Sequence, residues 1–160
     1  MKNISIMTDG SCDIPVEVIQ KYNIKIIPLH FQFEDHIEYG SVRTMDSKEF
    51  YRRIEDGEIA KTSAASPLSA MELLKEELEQ GNDIICIALS SSLSCTFNNI
   101  RMASLELLDS YPNRRITVID SGTGSMAMGM MVIKACMLRE ENYSYDQIIE
   151  YLNENKHSYH

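Results

Sequence analysis

Apolar and polar positions change their period several times along this chain. Asn3-Ile4-Ser5-Ile6-Met7-Thr8 alternates and then meets Asp9-Gly10-Ser11; that pattern predicts a strand closed by a turn. Asp13 and Pro15 precede a short helical stretch through Lys21, with proline at a helix start. Ile24-Lys25-Ile26-Ile27 continues past Pro28 through Leu29 to Phe33 as a second extended run. Pro28 puts part of that run at an edge or bulge, because proline cannot donate to a ladder. Asp46 and Glu49 have the spacing of a capping box, ahead of Phe50 and Ile54 on one helical face, and Gly57 is the stop. Ser66-Pro67 opens another helix. Its stripe is Met71, Leu74 and Leu78, with Glu72, Glu76 and Glu79 toward water and Gly81 at the end.

The later half is more regular. Ile84-Ile85-Cys86-Ile87-Ala88-Leu89 is unbroken apolar sequence, as expected of a strand buried on both faces. Ser90 to Ser94 form a serine-rich loop, and Phe97, Ile100, Ala103 and Leu107 then recur at helical spacing. Ile116-Thr117-Val118-Ile119 is the next strand, closed by Asp120-Ser121-Gly122. A helix over 125–138 follows, and Ser144 with Gln147 caps a last one carrying Ile148, Ile149 and Leu152. Strand, loop and helix alternate. The expected fold is α/β, with Rossmann-like layering: a mostly parallel sheet flanked by helices on both faces, with residues 4–7, 84–89 and 116–119 adjacent in it.

Charge narrows the ligand. The formal net charge is −9 over 160 residues, which opposes non-specific binding to nucleic acid or anionic membranes. A lipid would have to be met as a single molecule in a pocket. No apolar run is long enough to span a bilayer or to serve as a secretory signal, so a cytoplasmic location is expected. Cys12, Cys86, Cys95 and Cys136 show no C-x-x-C pairing and read as reduced thiols. His157 and His160 have helical spacing but no third ligand near them. No metal or organic cofactor is implied.

Ligands of open α/β sheets collect at the carboxyl ends of the strands. Four small polar loops belong there: 8–11, 62–66, 90–94 and 120–125. They offer hydroxyls and helix-start amides without a cation, which suits a carboxylate better than a triphosphate. Serine and threonine in such places also serve simply as helix caps. Two enzymatic alternatives stand beside this. Cys95 and Arg101 make a C-x₅-R arrangement open to a cysteine phosphatase, although 96–100 lacks the glycine of a phosphate loop. Ser92 or Ser94 could serve a serine hydrolase, although no G-x-S-x-G elbow and no histidine in a comparable loop accompany them. Met126, Met128, Met130 and Met131 could line an adaptable apolar wall or be ordinary helix core.

Several segments resemble the DegV family in order and spacing. Thr8-Asp9-Gly10-Ser11-Cys12-Asp13-Ile14-Pro15 is similar to the family's T-D-S-x-x-D-L-P, and Pro28-Leu29 fits the following strand. Thr62-Ser63-Ala64-Ala65-Ser66-Pro67 is similar to T-S-Q-P-S, Ser91 to Phe97 to S-x-L-S-G-T-Y, and Val118-Ile119-Asp120-Ser121 to V-x-D-S. Gly10 stands in place of a serine, Ala64-Ala65 in place of Gln-Pro, and Cys95 in place of a glycine. The resemblance implies a fatty-acid carrier, not an enzyme, that presents a bound long-chain acid to a fatty-acid kinase for phosphorylation and phospholipid synthesis. It implies that Thr62 and Ser94 hold the carboxylate, helped by the Cys95 backbone amide and Thr96. Asp9, Ser63, Ser92, Ser121 and Met126 are pocket-lining candidates. It also implies an N-terminal lobe over 1–155, with 156–160 starting the connection to a second lobe that closes over the acyl tail. On that expectation the 160-residue chain alone binds fatty acid poorly and exposes an apolar face prone to self-association.

Overall fold

The computed structural model describes residues 3–34, 38–40 and 45–159. Its elements are β1 (Ile4–Asp9), α1 (Val16–Tyr22), β2 (Lys25–Ile27), β3 (His30–Gln32), β4 (Glu38–Gly40), α2 (Ser47–Glu55) and β5 (Lys61–Ser63). They continue as α3 (Pro67–Glu79), β6 (Asp83–Ala88), α4 (Thr96–Ser110), β7 (Ile116–Asp120), α5 (Ser125–Glu140), α6 (Tyr145–Asn155) and a 3₁₀ turn at Lys156–Ser158. The main sheet has the order β2-β1-β6-β7, all parallel. The three strands expected from the apolar runs are therefore adjacent.

The central strand explains the layering. Ile85 and Ile87 of β6 face one side with Ile6, and α5 and α6 cover them with Met128, Met131, Val132, Ile148 and Leu152. Ile84, Cys86 and Ala88 face the other side, under Leu74 and Leu78 of α3 and Ile100, Ala103 and Leu107 of α4. Fully burying one such side chain contributes about 1.5–3 kcal/mol, so a strand with apolar residues on both faces requires helices on both faces. Helix ends are set locally. Ser66 accepts from the Ser69 amide at 3.0 Å. Ser144 and Gln147 form the reciprocal box, at 3.3 and 2.8 Å. Gly81, with φ +87°, follows α3 in the left-handed conformation that a helix-terminating residue takes.

Three expectations are corrected. The run over 24–33 is two strands in two sheets: β2 borders the main sheet, whereas β3 is central in an antiparallel sheet of order β4-β3-β5. Pro28, without an amide proton, lies at the break. Thr62 and Ser63, expected in a loop, belong to β5, with Thr62 opposite Phe31 and Ser63 opposite His30. A three-residue exposed strand has no periodicity of its own; the partner strand makes it one. Asp46 precedes α2 but its side chain makes no capping bond, and the Glu49 carboxylate, the other half of the box, is engaged by the Arg52 guanidinium at 2.7 and 2.9 Å. A charged donor outcompetes the neutral amide of a capping box.

The small sheet has its own core. Phe31 stacks on Tyr39 at 5.3 Å and meets Phe50 of α2 edge-on at 5.1 Å. Phe33 packs on Phe50 at 5.6 Å, with the Arg53 guanidinium 4.0 Å above its ring. This aromatic unit stands over the carboxyl ends of the main strands.

Candidate functional site

Two aspartates shape the loops at the top of the sheet. Asp9, at the end of β1, is wholly buried. It accepts from the Ser11 amide and hydroxyl at 3.0 and 2.5 Å and from the Leu89 amide at 2.7 Å. Asp120, at the end of β7, accepts from the Ser91 amide and hydroxyl at 3.2 and 2.5 Å and from the Gly122 amide at 3.0 Å. Partial burial works against the Asp120 charge, yet these donors hold its carboxyl below the ordinary range. The serine-rich loop after β6 is thus gripped from both neighbouring strands.

Between these loops and the small sheet lies an open cleft of about 700 Å³. Leu29, Phe31, Phe50, Tyr51, Leu89 and Leu93 give it apolar walls, and Thr62, Ser63 and Ser94 bring hydroxyls to it. A cleft with apolar walls and a few convergent polar groups is the usual form of a small-molecule site.

The hydroxyls are oriented. Thr96 Oγ1 is buried and accepts from the Ala65 amide at 3.2 Å. It also shares a hydrogen bond with Ser94 Oγ at 2.9 Å, in which either hydroxyl can be the donor. Ser94 Oγ also accepts from the Thr96 amide at 3.1 Å. In the arrangement in which Thr96 Oγ1 donates, Ser94 keeps its O–H proton for a ligand. Asn99 Nδ2 donates to the Ala65 carbonyl at 2.8 Å, so the start of α4 holds the segment that follows β5 from two directions. The Thr62 hydroxyl has no hydrogen-bond partner among the described residues, and Ser63 Oγ reaches only the His30 carbonyl at 3.4 Å. The Cys95 amide likewise meets no acceptor there. Such an arrangement can donate hydrogen bonds to an acceptor group beside apolar walls.

Of the candidate residues, Thr62, Ser63 and Ser94 line this cleft. Thr96 is wholly buried and acts on Ser94 from behind. Asp9 positions Ser11 and Leu89, which do line it. Ser92 is exposed on the serine loop, and Ser121 is buried against Thr123, to which it donates at 2.9 Å. Met126 and Met130 face outward on α5, whereas Met128 and Met131 are core. The aromatic wall from Phe31, Phe50 and Tyr51 escaped sequence reasoning; alternation through Phe31 and Phe33 was its one local signal.

The enzymatic alternatives meet specific geometry. Residues 96–100 are the first turns of α4, so they wrap no oxyanion between Cys95 and Arg101. His30, in β3 and not in a strand-end loop, lines the same cleft as Ser94. Its ring makes no hydrogen bond to Ser94 among the described residues, and Ser94 Oγ is held by Thr96. His160 lies outside the described residues, and no group of three or more metal-ligating side chains occurs among those described. No helix there is long and apolar enough to cross a membrane.

Comparison with known proteins gives consistent results. The family described as "Uncharacterised protein, DegV family" matches residues 3–160. A DegV domain-containing protein of Clostridium perfringens is 31% identical over 160 residues, covering 98% of this chain and 54% of that protein. The structure of a DegV family protein from Thermus thermophilus, described for its fatty-acid binding, superposes with a TM-score of 0.87 at 25% identity. It covers 98% of this chain and 54% of that one. A stearic-acid-binding protein from Eubacterium ventriosum superposes with a TM-score of 0.86 at 25% identity, over 94% and 52% of the two chains. The chain spans about half the length of each of these relatives.

Proposed function

The chain belongs to the DegV family, and on that premise we propose that it is the carboxylate-holding α/β lobe of a cytosolic fatty-acid carrier. Ser94 and Thr62 donate to the carboxylate, the Cys95 amide assists, and the acyl chain runs along Leu29, Phe31, Phe50 and Tyr51. The observation that carries this reading is the Ser94 hydroxyl, anchored by the Thr96 amide and hydroxyl, at the wall of an apolar-walled cleft. Relatives of the same fold bind fatty acids.

The energetics divide between the ligand's two ends. Each buried methylene contributes about 0.8 kcal/mol, whereas a neutral hydroxyl donor contributes roughly 0.5–1.5 kcal/mol. The tail supplies affinity; the hydroxyls fix which end sits at the serine loop. Among the described residues no base is hydrogen-bonded to Ser94; on this reading the protein binds rather than reacts, and a partner kinase phosphorylates the presented carboxylate.

Native mass spectrometry of the purified protein, with lipid extraction, tests this. Fatty acid is expected in the extract. Thr62→Ala and Ser94→Ala should each weaken binding by about 2–10-fold. Unchanged acyl affinity in both variants would remove the assignment.

A further inference from the structure

On the face of the main sheet opposite α5, helices α3 and α4 leave an open groove of about 570 Å³. Its floor is apolar: Pro67 and Met71 come from α3, and Met102, Ala103 and Leu105 from α4. Ala103 is buried, but Met102 is 63% exposed, Leu105 is 48% exposed, and Leu68, next to Pro67, is 66% exposed. The core does not need these three side chains, because Leu74, Leu78, Ile100 and Leu107 already cover Ile84, Cys86 and Ala88. Large apolar side chains exposed singly are ordinary; three gathered at one groove mark an interaction surface. Met71 and Met102 add flexible, polarizable side chains of the kind that adapt to a partner.

Charge decides what fits. The lining of the groove holds two carboxylates, Glu106 and Asp109, and no cation. Neither carboxylate has a hydrogen-bond or ion-pair partner among the described residues. Exposed acids elsewhere, such as Glu49, Asp56, Glu79 and Asp146, are paired with arginine or lysine. An apolar floor edged by unpaired acids complements a helix whose apolar stripe is flanked by lysine or arginine. Asn99 and Asp109 are about 15 Å apart along α4, enough for roughly three turns of a docked helix. A second copy of this chain is a poor occupant, because its helical cations are mostly committed. Arg52 and Arg53 of α2 are taken by Glu49, Asp56 and Glu58, and Lys21 and Lys134 lie over Tyr22 and Tyr151.

We propose that the groove between α3 and α4 is a docking site for a basic amphipathic helix of a partner protein. Met71, Met102 and Leu105 receive its apolar stripe, and Glu106 and Asp109 take its flanking cations. The groove shares no lining residue with the acyl cleft, so docking and ligand binding do not compete. Asn99, at one end of the groove, donates to the Ala65 carbonyl at 2.8 Å. A helix seated there lies beside the segment that joins β5 to α3, next to the loops of the cleft.

The test uses the full chain and two synthetic helical peptides about four turns long. One carries a leucine stripe flanked by lysines; the other has glutamates in place of the lysines. Calorimetric titration compares wild type with three double variants: Glu106→Lys with Asp109→Lys, Met102→Gln with Leu105→Gln, and Glu72→Lys with Glu76→Lys. The last pair reverses the same charge at α3 positions outside the groove, and all six side chains are exposed. Melting curves confirm that each protein is folded. The lysine peptide is expected to bind wild type and to lose about tenfold or more in both groove variants, but less than about threefold in the α3 variant. The glutamate peptide is expected to bind the Glu106→Lys, Asp109→Lys protein better than it binds wild type. Equal losses in the two charge-reversed proteins would reduce the effect to general attraction by a chain of net charge −9 and overturn the site, as would a lysine peptide that does not bind wild type. A wild-type dimer in sedimentation that the Met102→Gln, Leu105→Gln protein no longer forms would give the groove to a second copy. Retention on phosphatidylcholine vesicles, lost in that same variant, would give it to a lipid surface; either result overturns the partner helix.

Discussion

Replacing Gly129 by alanine sets two effects of known sign against each other. Gly129 lies inside α5, where alanine is the better helix former by about 0.8–1.0 kcal/mol. A Cβ at that position would stand 2.4 Å from the Cys12 carbonyl oxygen and 3.0 Å from Ile14 Cγ1. The obstacle is backbone, and it has little freedom to yield. Ser11 is bonded to Asp9, Asp13 has φ +46°, and Pro15 follows. Overpacking costs about 1–3 kcal/mol, and a contact this short against a carbonyl belongs at the upper end. The net expectation is a loss of about 1–2 kcal/mol, or roughly 2–8 °C in melting temperature for a domain of this size. Urea titration of both proteins measures it. A Gly129→Ala variant as stable as wild type, or more stable, would mean that α5 does not rest on the Cys12 backbone, and the close packing of this face would be wrong.

Three further outcomes follow from single contacts. Thr96→Val keeps the shape but leaves the buried Ala65 amide without its acceptor, which should cost about 1–3 kcal/mol in denaturant titration and weaken acyl binding through Ser94; loss of neither would contradict the relay. Asp9→Asn retains one acceptor oxygen where the carboxylate serves Leu89 with one and Ser11 with the other, so a loss of roughly 1.5–3 kcal/mol is expected, and an undiminished urea midpoint would argue against the clamp. Burial pushes the Tyr145 phenol up to about 12 from an ordinary 10, with Thr117 as its hydrogen-bond partner working the other way. A raised pKa in the folded state means that its contribution is complete below pH 10 and is lost as pH rises toward 12. Tyr145→Phe should be less stable at neutral pH, having lost the bonds to Ile84 and Thr117, and the gap from wild type should narrow across that alkaline window; a constant gap would refute the assignment.

The amino-acid sequence by itself determined the layered frame. The apolar run around Ile85 has to be covered on both faces, and β1, β6 and β7 are parallel neighbours as that burial requires. Ser66 and Ser144 cap their helices because a cap is a contact within one turn. The ordered serine and threonine motifs were legible for the same reason: each is a few residues long. Other features depended on residues far apart in the chain. Whether a methionine of α5 faces core or solvent depends on the phase at which the helix docks, and Met128 and Met131 are inward while Met126 and Met130 are outward. β5 is a strand only because β3 lies beside it, and β3 leaves the main sheet only because Pro28 ends the ladder there. The aromatic wall joins residues from β3 and α2. The relay from Ala65 through Thr96 to Ser94 joins positions more than thirty residues apart along the chain. Periodicity records which face of an element is buried; it carries no record of what buries it. The frame was therefore readable along the chain, while the cleft, and the anchoring of Ser94 by Thr96 beside it, were decided by tertiary packing.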